Sequence, residues 1–348
     1  MHYLQFQETV DSWAEMRAIP LNLMTLYADL LQSVEMSDDL PGSVAIKGKK
    51  YVYVTRKDGS VRIETYLGTV GDPAVQQKVE RTKHAAQRAK SLRNTVTLLK
   101  QGRLPAPSLA LGRILEVISN AGLFKRGMTL VGTGAYQTYA GVTGYYLPSA
   151  SYATNDADLS VVQFAPAEEE DIESILKRAN HTFKAVWHTD DKLPKAFRSS
   201  DGFTVDILTR KGRGDGPVLV KALGCAAVPL SFQEFPVEKT IETVALYGTG
   251  VLVRVPTPAR FAVHKLIVAQ RRKNTEVAKK QKDLRQAQEL IDILLATDAA
   301  DLQDVLDDGR ARGKAWKTAI NASLREIGRE ARQGALPFPV DRARAPAR

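Results

Sequence analysis

The 348-residue chain has little cysteine and no long apolar run. The single thiol, Cys225, excludes an intrachain disulfide framework and any zinc site built from several thiolates. It lies in the apolar segment 222–228, so we expect a buried structural thiol rather than a reactive one. No apolar run approaches the roughly 20 residues of a membrane-spanning helix. Residues 1–8 lack the basic start and apolar core of a signal peptide, so we expect a cytoplasmic protein with no membrane partner.

The formal net charge of +10 comes with a strongly uneven distribution of cations. Residues 77–103 contain eight Lys and Arg against one acid, Glu80, and a second basic cluster spans 271–282. A basic protein attracts polyanions whatever its fold. These faces either bind an RNA acceptor or are ordinary solvated helix surfaces, and both interpretations stay open.

The N-terminal part, residues 1–104, is predicted to be a separate module. Alternating apolar residues at 50–55 and 61–66 flank Asp58-Gly59, which is a strong β-hairpin signal. Residues 72–99 have the pattern of one long basic helix. A Pro-rich stretch then marks the boundary.

The rest of the chain is predicted to contain an α+β core followed by helices. We expect a mixed-sheet, α/β-like core at 105–255, with strands at 243–246 and 251–255 completing its sheet. Helical spacing of apolar residues predicts a helical domain at 256–335, and the Pro-, Ala- and Arg-rich residues 336–348 a loose tail.

Two aspartates one residue apart, Asp156 and Asp158, lead directly into an apolar, β-branched segment. Alternation along a strand places both side chains on one face. Like charges side by side repel unless a cation lies between them, and hard divalent cations prefer oxygen ligands. Taken alone, the pair also fits a solvated turn.

Two further features favour a functional site over a solvated turn for this aspartate pair. An apolar strand upstream ends in a glycine-rich turn at Gly132-Thr133, and Asp206 lies between Val205 and Ile207 in a later apolar strand. A carboxylate in such surroundings is costly to bury without a partner. Together the three motifs indicate phosphate and metal chemistry.

The order of these motifs resembles the DNA polymerase β-type nucleotidyltransferase superfamily. There an apolar strand ends in Gly-Ser, an Asp-x-Asp or Asp-x-Glu follows, and a later strand carries a third Asp. Gly132-Thr133, Asp156-Ala157-Asp158 and Asp206 match this pattern, and Thr133 keeps the hydroxyl of the usual serine.

More narrowly, the chain resembles bacterial nucleotidyltransferase-fold proteins related to AbiEii-type toxins. The match is a segment beginning at Pro258 that contains Lys265-Leu266, followed by Arg271-Arg272 and Lys282-Asp283. This resemblance implies a toxin or defence component with an antitoxin partner.

The superfamily resemblance implies a mechanism with a nucleoside triphosphate as substrate. Asp156 and Asp158 would hold two Mg²⁺ ions, with Mn²⁺ as an alternative, and Asp206 would ligate the ion near the attacking hydroxyl and help to deprotonate it. Backbone amides at Gly132 and Thr133 would cradle the departing phosphates.

Two cations complete the predicted site. Lys265, by the same resemblance, would place a point charge on the triphosphate. Arg198 lies just before the Asp206 strand, where it would reach a phosphate. Between Gly132 and Asp156 we expect a helix at about 135–140, followed by an inserted loop. This segment carries five tyrosines, which either stack on a base or an acceptor or simply pack in the core.

Three functions are compatible with these motifs. The leading one is a metal-dependent nucleotidyltransferase that moves a nucleoside monophosphate to a hydroxyl of RNA, such as tRNA, or of a protein. A nucleic-acid-binding protein with an inactive nucleotidyltransferase fold is the second. An adenylyltransferase that acts on a small molecule is the third.

Overall fold

The computed structural model describes residues 17–35, 41–151, 154–165, 169–187, 192–212, 214 and 216–328. The chain divides into two compact units, of which one is Ala18–Val255 and the other includes the helices from Pro256 onward. The predicted tail at 336–348 lies outside the described residues. A further boundary near residue 104, within the first unit, stays a prediction.

The first unit begins with a helix, a three-stranded sheet and a second, longer helix. These elements are α1 (Leu21–Glu35), β1 (Ser43–Lys47), β2 (Tyr51–Asp58), β3 (Val61–Thr69) and α2 (Pro73–Gln101). The sheet is antiparallel in the order β1-β2-β3. The predicted hairpin and the predicted long helix are confirmed, whereas β1 was not predicted.

The rest of the first unit is built around a seven-stranded sheet with short helices. Its elements, in chain order, are α3 (Leu109–Asn120), β4 (Thr129–Val131), α4 (Gly132–Tyr136), α5 (Tyr139–Thr143), β5 (Asp156–Ser160), α6 (Ile172–Ala179), β6 (Lys184–Val186), β7 (Ala196–Arg198), β8 (Thr204–Arg210), β9 (Val218–Val220), β10 (Cys225–Leu230), α7 (Glu234–Val237), β11 (Thr240–Ala245) and β12 (Val251–Pro256).

The seven-stranded sheet is mixed, as predicted. Its main path runs β4-β5-β8-β10-β9, and β7 pairs with β8 and β6. Strand β8 is parallel to β5 and β10, whereas the β4–β5 and β7–β8 pairs are antiparallel. The fold is therefore α+β, and β5 and β8 are neighbours at its centre.

One face of this sheet belongs to the hydrophobic core. Leu130, Leu159 and Ile207 stand opposite one another in the register of β4, β5 and β8, and all three are fully buried. Leu130 approaches Gly134, which also lies close to Leu111 of α3. Side chains alternate along a strand, so the residues next to Leu130, Leu159 and Ile207 in their own strands point to the other face of the sheet.

The structure corrects two predictions in this unit. Strands β11 and β12 form a separate two-stranded sheet rather than completing the mixed sheet. The helix expected at about 135–140 is two short helices, α4 and α5, and the rings of Tyr136 and Tyr139 are fully buried. Those two tyrosines therefore pack in the core, while Tyr152 lies outside the described residues.

Cys225 is a buried thiol on β10, as predicted. Burial, with a smaller contribution from the charge of Asp171, raises the pKa of the Cys225 thiol to about 12. A thiol with such a pKa stays protonated at neutral pH, so Cys225 is unreactive.

The second unit is helical where the structure describes it. Its helices are α8 (Pro258–Ala269), α9 (Val277–Thr297), α10 (Ala299–Ala311) and α11 (Lys314–Glu326). Pro258 occupies the first turn of α8, where its missing N–H costs nothing. Within the described residues, no helix is both long and apolar enough to cross a membrane. Cytoplasmic residence stays a prediction.

Candidate active site

The two central strands bring two carboxylates together. Asp158 of β5 stands directly opposite Asp206 of β8 in a parallel pair, and Val131 at the end of β4 stands opposite Asp158 on the other side. Asp156, two residues before Asp158, shares its face and is opposite Thr204. The structure thus places the three predicted aspartates on one face of the sheet.

Burial along the two strands follows the same alternation. Ala157 and Val205 are buried on the core face, whereas Asp158 and Asp206 are half-buried and Asp156 is exposed. The carboxylates are therefore within reach of a ligand from solvent, while the strands that carry them are anchored by the core.

Asp206 has a carboxyl group with a raised pKa. Burial raises the pKa of its carboxyl, the charge of Asp156 raises it further, and Arg198 opposes both. On the same face, Leu208 belongs to a buried apolar cluster with Val131, consistent with the loss of water around Asp206. Ionisation of Asp206 therefore costs more free energy than ionisation of an ordinary aspartate, and a bound cation would offset that cost.

Arg198 is placed by strand pairing beside this group. It lies at the end of β7 opposite Thr204, so it is diagonal to Asp206 and on the same face. Its side chain is exposed. The structure therefore brings the predicted cation Arg198 to the carboxylate face.

Thr154 is a residue that sequence reasoning missed. Its buried hydroxyl donates a hydrogen bond to Oδ1 of Asp156. The carboxylate of Asp156 is thereby oriented from the segment that leads into β5. A hydroxyl two residues before a strand-edge aspartate was the available signal in the sequence.

Gly132 has a backbone and a position that only glycine suits. Its φ is +64°, in the left-handed region, and a Cβ built on it would overlap Oδ2 of Asp158. Helix α4 begins at this residue, and Thr133 is buried in its first turn. The Gly132–Thr133 turn therefore approaches Asp158 at backbone level.

Lys265 lies in the second unit, in a buried ion pair. Its Nζ is 2.6 Å from Oδ1 of Asp283, and Nε of Arg272 is 2.9 Å from Oδ2. Burial alone would raise the pKa of Asp283, but Lys265 and Arg272 hold it below its usual value. The predicted contact of Lys265 with a triphosphate stays a prediction.

The carboxylates do not by themselves enclose a metal ion. Across the described part of the chain, no group of three or more His, Cys, Asp and Glu side chains is arranged to hold one. Mg²⁺, however, is usually held by one or two carboxylates together with waters and substrate phosphates. The Asp158–Asp206 pair fits an ion that is bound jointly with a triphosphate.

A comparison with protein families identifies one that covers this site. A family model described as "Nucleotidyltransferase" matches residues 110–310, a range that contains all seven predicted site residues. No curated protein matches the chain.

Two solved structures are also similar in part. The antibiotic-resistance factor ANT(2'')-Ia is 13% identical over 58% of this chain and 90% of its own, with a TM-score of 0.33. An antigenic nucleotidyltransferase-like protein from Paracoccidioides brasiliensis is 13% identical over 63% of this chain and 95% of its own, with a TM-score of 0.30.

Proposed function

The chain belongs to the nucleotidyltransferase family whose model covers residues 110–310, and on that premise we propose a metal-dependent site at Asp156, Asp158 and Asp206. This site moves a nucleoside monophosphate from a nucleoside triphosphate to an acceptor hydroxyl. The oxygen of the acceptor forms a bond to the α-phosphorus, the bond to the β-phosphate oxygen breaks, and pyrophosphate leaves. The observation that carries the proposal is the direct pairing of Asp158 with Asp206 against the Gly132 turn.

Asp206 takes the proton of the acceptor hydroxyl. Its pKa is raised by burial and by the charge of Asp156, so its carboxylate is more basic than an ordinary aspartate. A general base works best when its pKa is closer to the working pH. The half-buried position also excludes part of the water that would compete with the acceptor.

Asp156 and Asp158 would hold the cation, and Asp206 would complete its protein ligands. Thr154 fixes one oxygen of Asp156, and the packed β5 strand fixes the spacing between the two carboxylates. Mg²⁺, or Mn²⁺ in its place, would supply positive charge that stabilises the negative charge developing in the reaction.

The triphosphate lies over the start of α4 in this proposal. Backbone N–H groups of Gly132 and Thr133 donate to phosphate oxygens, because the first amides of a helix lack partners within the helix. Arg198, exposed on the same face as Asp206, adds a positive charge. Lys265 is a further candidate for this role.

RNA is the acceptor class that the charge distribution favours. The net charge is +10, and helix α2 carries a series of exposed cations. Such a surface attracts a polyanion at long range. The narrower proposal of an AbiEii-type toxin with an antitoxin partner rests on the motif that contains Lys265, Arg272 and Asp283.

The test is transfer of label from each α-labelled nucleoside triphosphate, with Mg²⁺, into total tRNA and into cell-extract protein. An Asp156→Asn, Asp158→Asn double variant is compared with the wild type and with Asp29→Asn, which removes an exposed acid on α1. We expect label in the RNA pool with the wild type and Asp29→Asn only. Equal labelling by the double variant would contradict the assignment of the site.

A further inference from the structure

Three tyrosines on the N-terminal sheet, two exposed and one half-buried, form an aromatic surface that is here called the tyrosine patch: Tyr51, Tyr53 and Tyr66. Tyr53 stands opposite Tyr66 in the register of β2 and β3, and Tyr51 shares their face two residues away. The ring centroids lie 5.3 Å apart for Tyr53–Tyr66 and 6.1 Å apart for Tyr51–Tyr66. Tyr51 is 43% exposed and Tyr66 is 50% exposed.

The hydrophobic core does not use this face of the sheet. Val52 and Val54, which alternate with the tyrosines on β2, are buried on the opposite face. On that side Val75 of α2 packs against Gly68 of β3. Among the residues that the structure describes, no apolar element covers the tyrosine patch, and an exposed aromatic surface of this kind is a feature of binding sites rather than of packing.

Cations surround the rings. Nζ of Lys47 lies 4.8 Å from the ring centroid of Tyr53, and Nζ of Lys50 lies 5.7 Å from that of Tyr51. Lys57 and Arg62, opposite each other on β2 and β3, add two exposed cations on the same face.

Acidic residues cancel only part of this charge. The segment 43–69 contains six Lys and Arg against two acids, Asp58 and Glu64. Glu64 is paired with Lys47 at 2.7 Å, and Asp58 with Arg178 at 3.0 Å. The remaining positive charge at the rings favours an anionic partner over an apolar protein surface as the occupant.

The hairpin that carries the patch is fixed to the core of the same unit. At its turn, the backbone N–H of Ser60 donates to the carbonyl of Arg178 at 2.7 Å. The guanidinium of Arg178 binds both Asp58 and Glu170. The patch is thus held on a rigid support rather than on a free loop, which lowers the entropy cost of binding.

We propose that the tyrosine patch binds single-stranded RNA, with unpaired bases stacked on the rings and phosphates contacted by the surrounding lysines. Every base has a π-face, so stacking on tyrosine tolerates any sequence, and a row of aromatic residues with cations is the usual design of such surfaces. Bases inside a duplex are not available for stacking. The choice of RNA over DNA rests on the proposed function, because RNA ends and loops supply both unpaired bases and an acceptor hydroxyl.

The experiment measures binding of a fluorescein-labelled oligouridine of about 20 nucleotides by anisotropy, without nucleoside triphosphate. The full chain is compared with Tyr51→Ala/Tyr66→Ala, with Tyr51→Phe/Tyr66→Phe, and with Ile46→Ala, an exposed apolar residue on the other face of the sheet. We expect the double alanine variant to bind about 100-fold more weakly, at about tenfold per ring. The phenylalanine variant, which keeps both π-faces, and Ile46→Ala should bind like the wild type.

Matched nucleic acids and a fold control separate the alternatives. Circular dichroism establishes that each variant keeps the wild-type fold, and affinity for duplex RNA of the same length should be equal in all four proteins. Undiminished oligouridine binding by a folded double alanine variant would overturn the proposal, as would a wild type that binds no oligouridine. Stacking and lysine–phosphate contacts do not distinguish ribose from deoxyribose, so the choice of RNA is tested by transfer: label that enters oligothymidine as readily as oligouridine would overturn it.

The RNA-binding proposal and the proposed transfer reaction can also fail independently of each other. Asp156→Asn/Asp158→Asn should bind oligouridine like the wild type, because neither residue lies in the tyrosine patch. Loss of oligouridine binding in that double variant would place the RNA at the carboxylates and overturn the patch. A wild type that binds RNA through the tyrosines but transfers no label would refute the transfer reaction alone.

Discussion

Gly132 and Asp158 are in such close contact that a single methyl group on Gly132 would overlap the Oδ2 atom of Asp158. The turn that starts α4 therefore fixes how near the backbone comes to the carboxylate pair. Its φ of +64° requires glycine for a second, independent reason. The two reasons can be separated because Gly122 has a positive φ but no such close neighbour.

We predict that Gly132→Ala abolishes nucleotidyl transfer, whereas Gly122→Ala does not. Gly122 has a φ of +71° but no atom within 4 Å of a built Cβ, so its substitution carries only the backbone cost of about 1–2 kcal/mol. Gly132→Ala carries that cost and also displaces Asp158. The unfolding midpoint should fall in both variants, further in Gly132→Ala because of the added overlap, and only Gly132→Ala should lose activity by about 100-fold or more. Equal activities would show that the close approach is not needed.

The raised pKa of Asp206 predicts a pH dependence of stability. Since its folded pKa lies above its unfolded value, the native state binds the proton more tightly, and the free energy of unfolding falls as pH rises through the folded pKa. Asparagine does not ionise, so Asp206→Asn should not show this fall in the free energy of unfolding. We therefore expect the variant without ligand to be more stable than the wild type at pH 7. A gain of about 0.5–2 kcal/mol is typical when an active-site conflict is relieved.

Denaturant unfolding of both proteins from pH 4 to pH 8 tests this expectation. The difference in free energy of unfolding between the two proteins should shrink toward a pH of about 4, where an unperturbed aspartate is half protonated. Mg²⁺ with a nucleoside triphosphate should stabilise the wild type more than Asp206→Asn, and Asp206→Asn should lose transfer activity. A variant less stable than the wild type at every pH would argue that ionised Asp206 is already compensated in the apo protein.

Thr154 is expected to set the affinity for the metal. Its hydroxyl donates to Asp156, so Thr154→Val frees the carboxylate to rotate while keeping the side-chain volume. Removal of such an orienting partner typically costs about 10–100-fold in metal affinity or activity. A Mg²⁺ titration of the transfer rate should show a higher half-saturating concentration for Thr154→Val and near-wild-type behaviour for Thr154→Ser. If both variants titrate like the wild type, Thr154 has no orienting role.

The local signals in the sequence predicted much of the sheet and the carboxylate group. The alternation of Asp156 and Asp158 with buried residues, and the apolar neighbours of Asp206, determine which face each side chain occupies. Asp58-Gly59 predicted the hairpin because glycine at positive φ suits that turn. These features depend on residues close together in the chain.

Features that depend on distant residues could not be predicted in the same way. The pairing that puts Asp158 opposite Asp206, rather than one position away, is set by packing across strands. The separation of β11 and β12 from the main sheet has no local signal either. The exposure of Tyr66 depends on which face of β3 meets α2, because a tyrosine in a strand is equally compatible with either face.

The buried ion pair of Lys265 and Asp283 allows a last prediction that separates folding from substrate binding. Their side chains are 9% and 3% exposed, so Lys265→Met leaves Asp283 buried with Arg272 as its remaining ion-pair partner among the described residues. Breaking a buried pair on one side costs about 3–5 kcal/mol, whereas replacing both partners with apolar residues of similar volume is often neutral. Arg272, 29% exposed, can turn its charge toward water when Asp283 is replaced.

We therefore expect Lys265→Met to lower the unfolding midpoint strongly and Lys265→Met/Asp283→Leu to regain most of it. The double variant, once folded, isolates the second role that the family resemblance implies for Lys265. A raised KM for the nucleoside triphosphate in the double variant would assign Lys265 to the phosphates, and a KM equal to that of the wild type would leave it a structural residue. A double variant less stable than either single variant would contradict the buried-pair explanation, because the two substitutions would then act on separate parts of the unit.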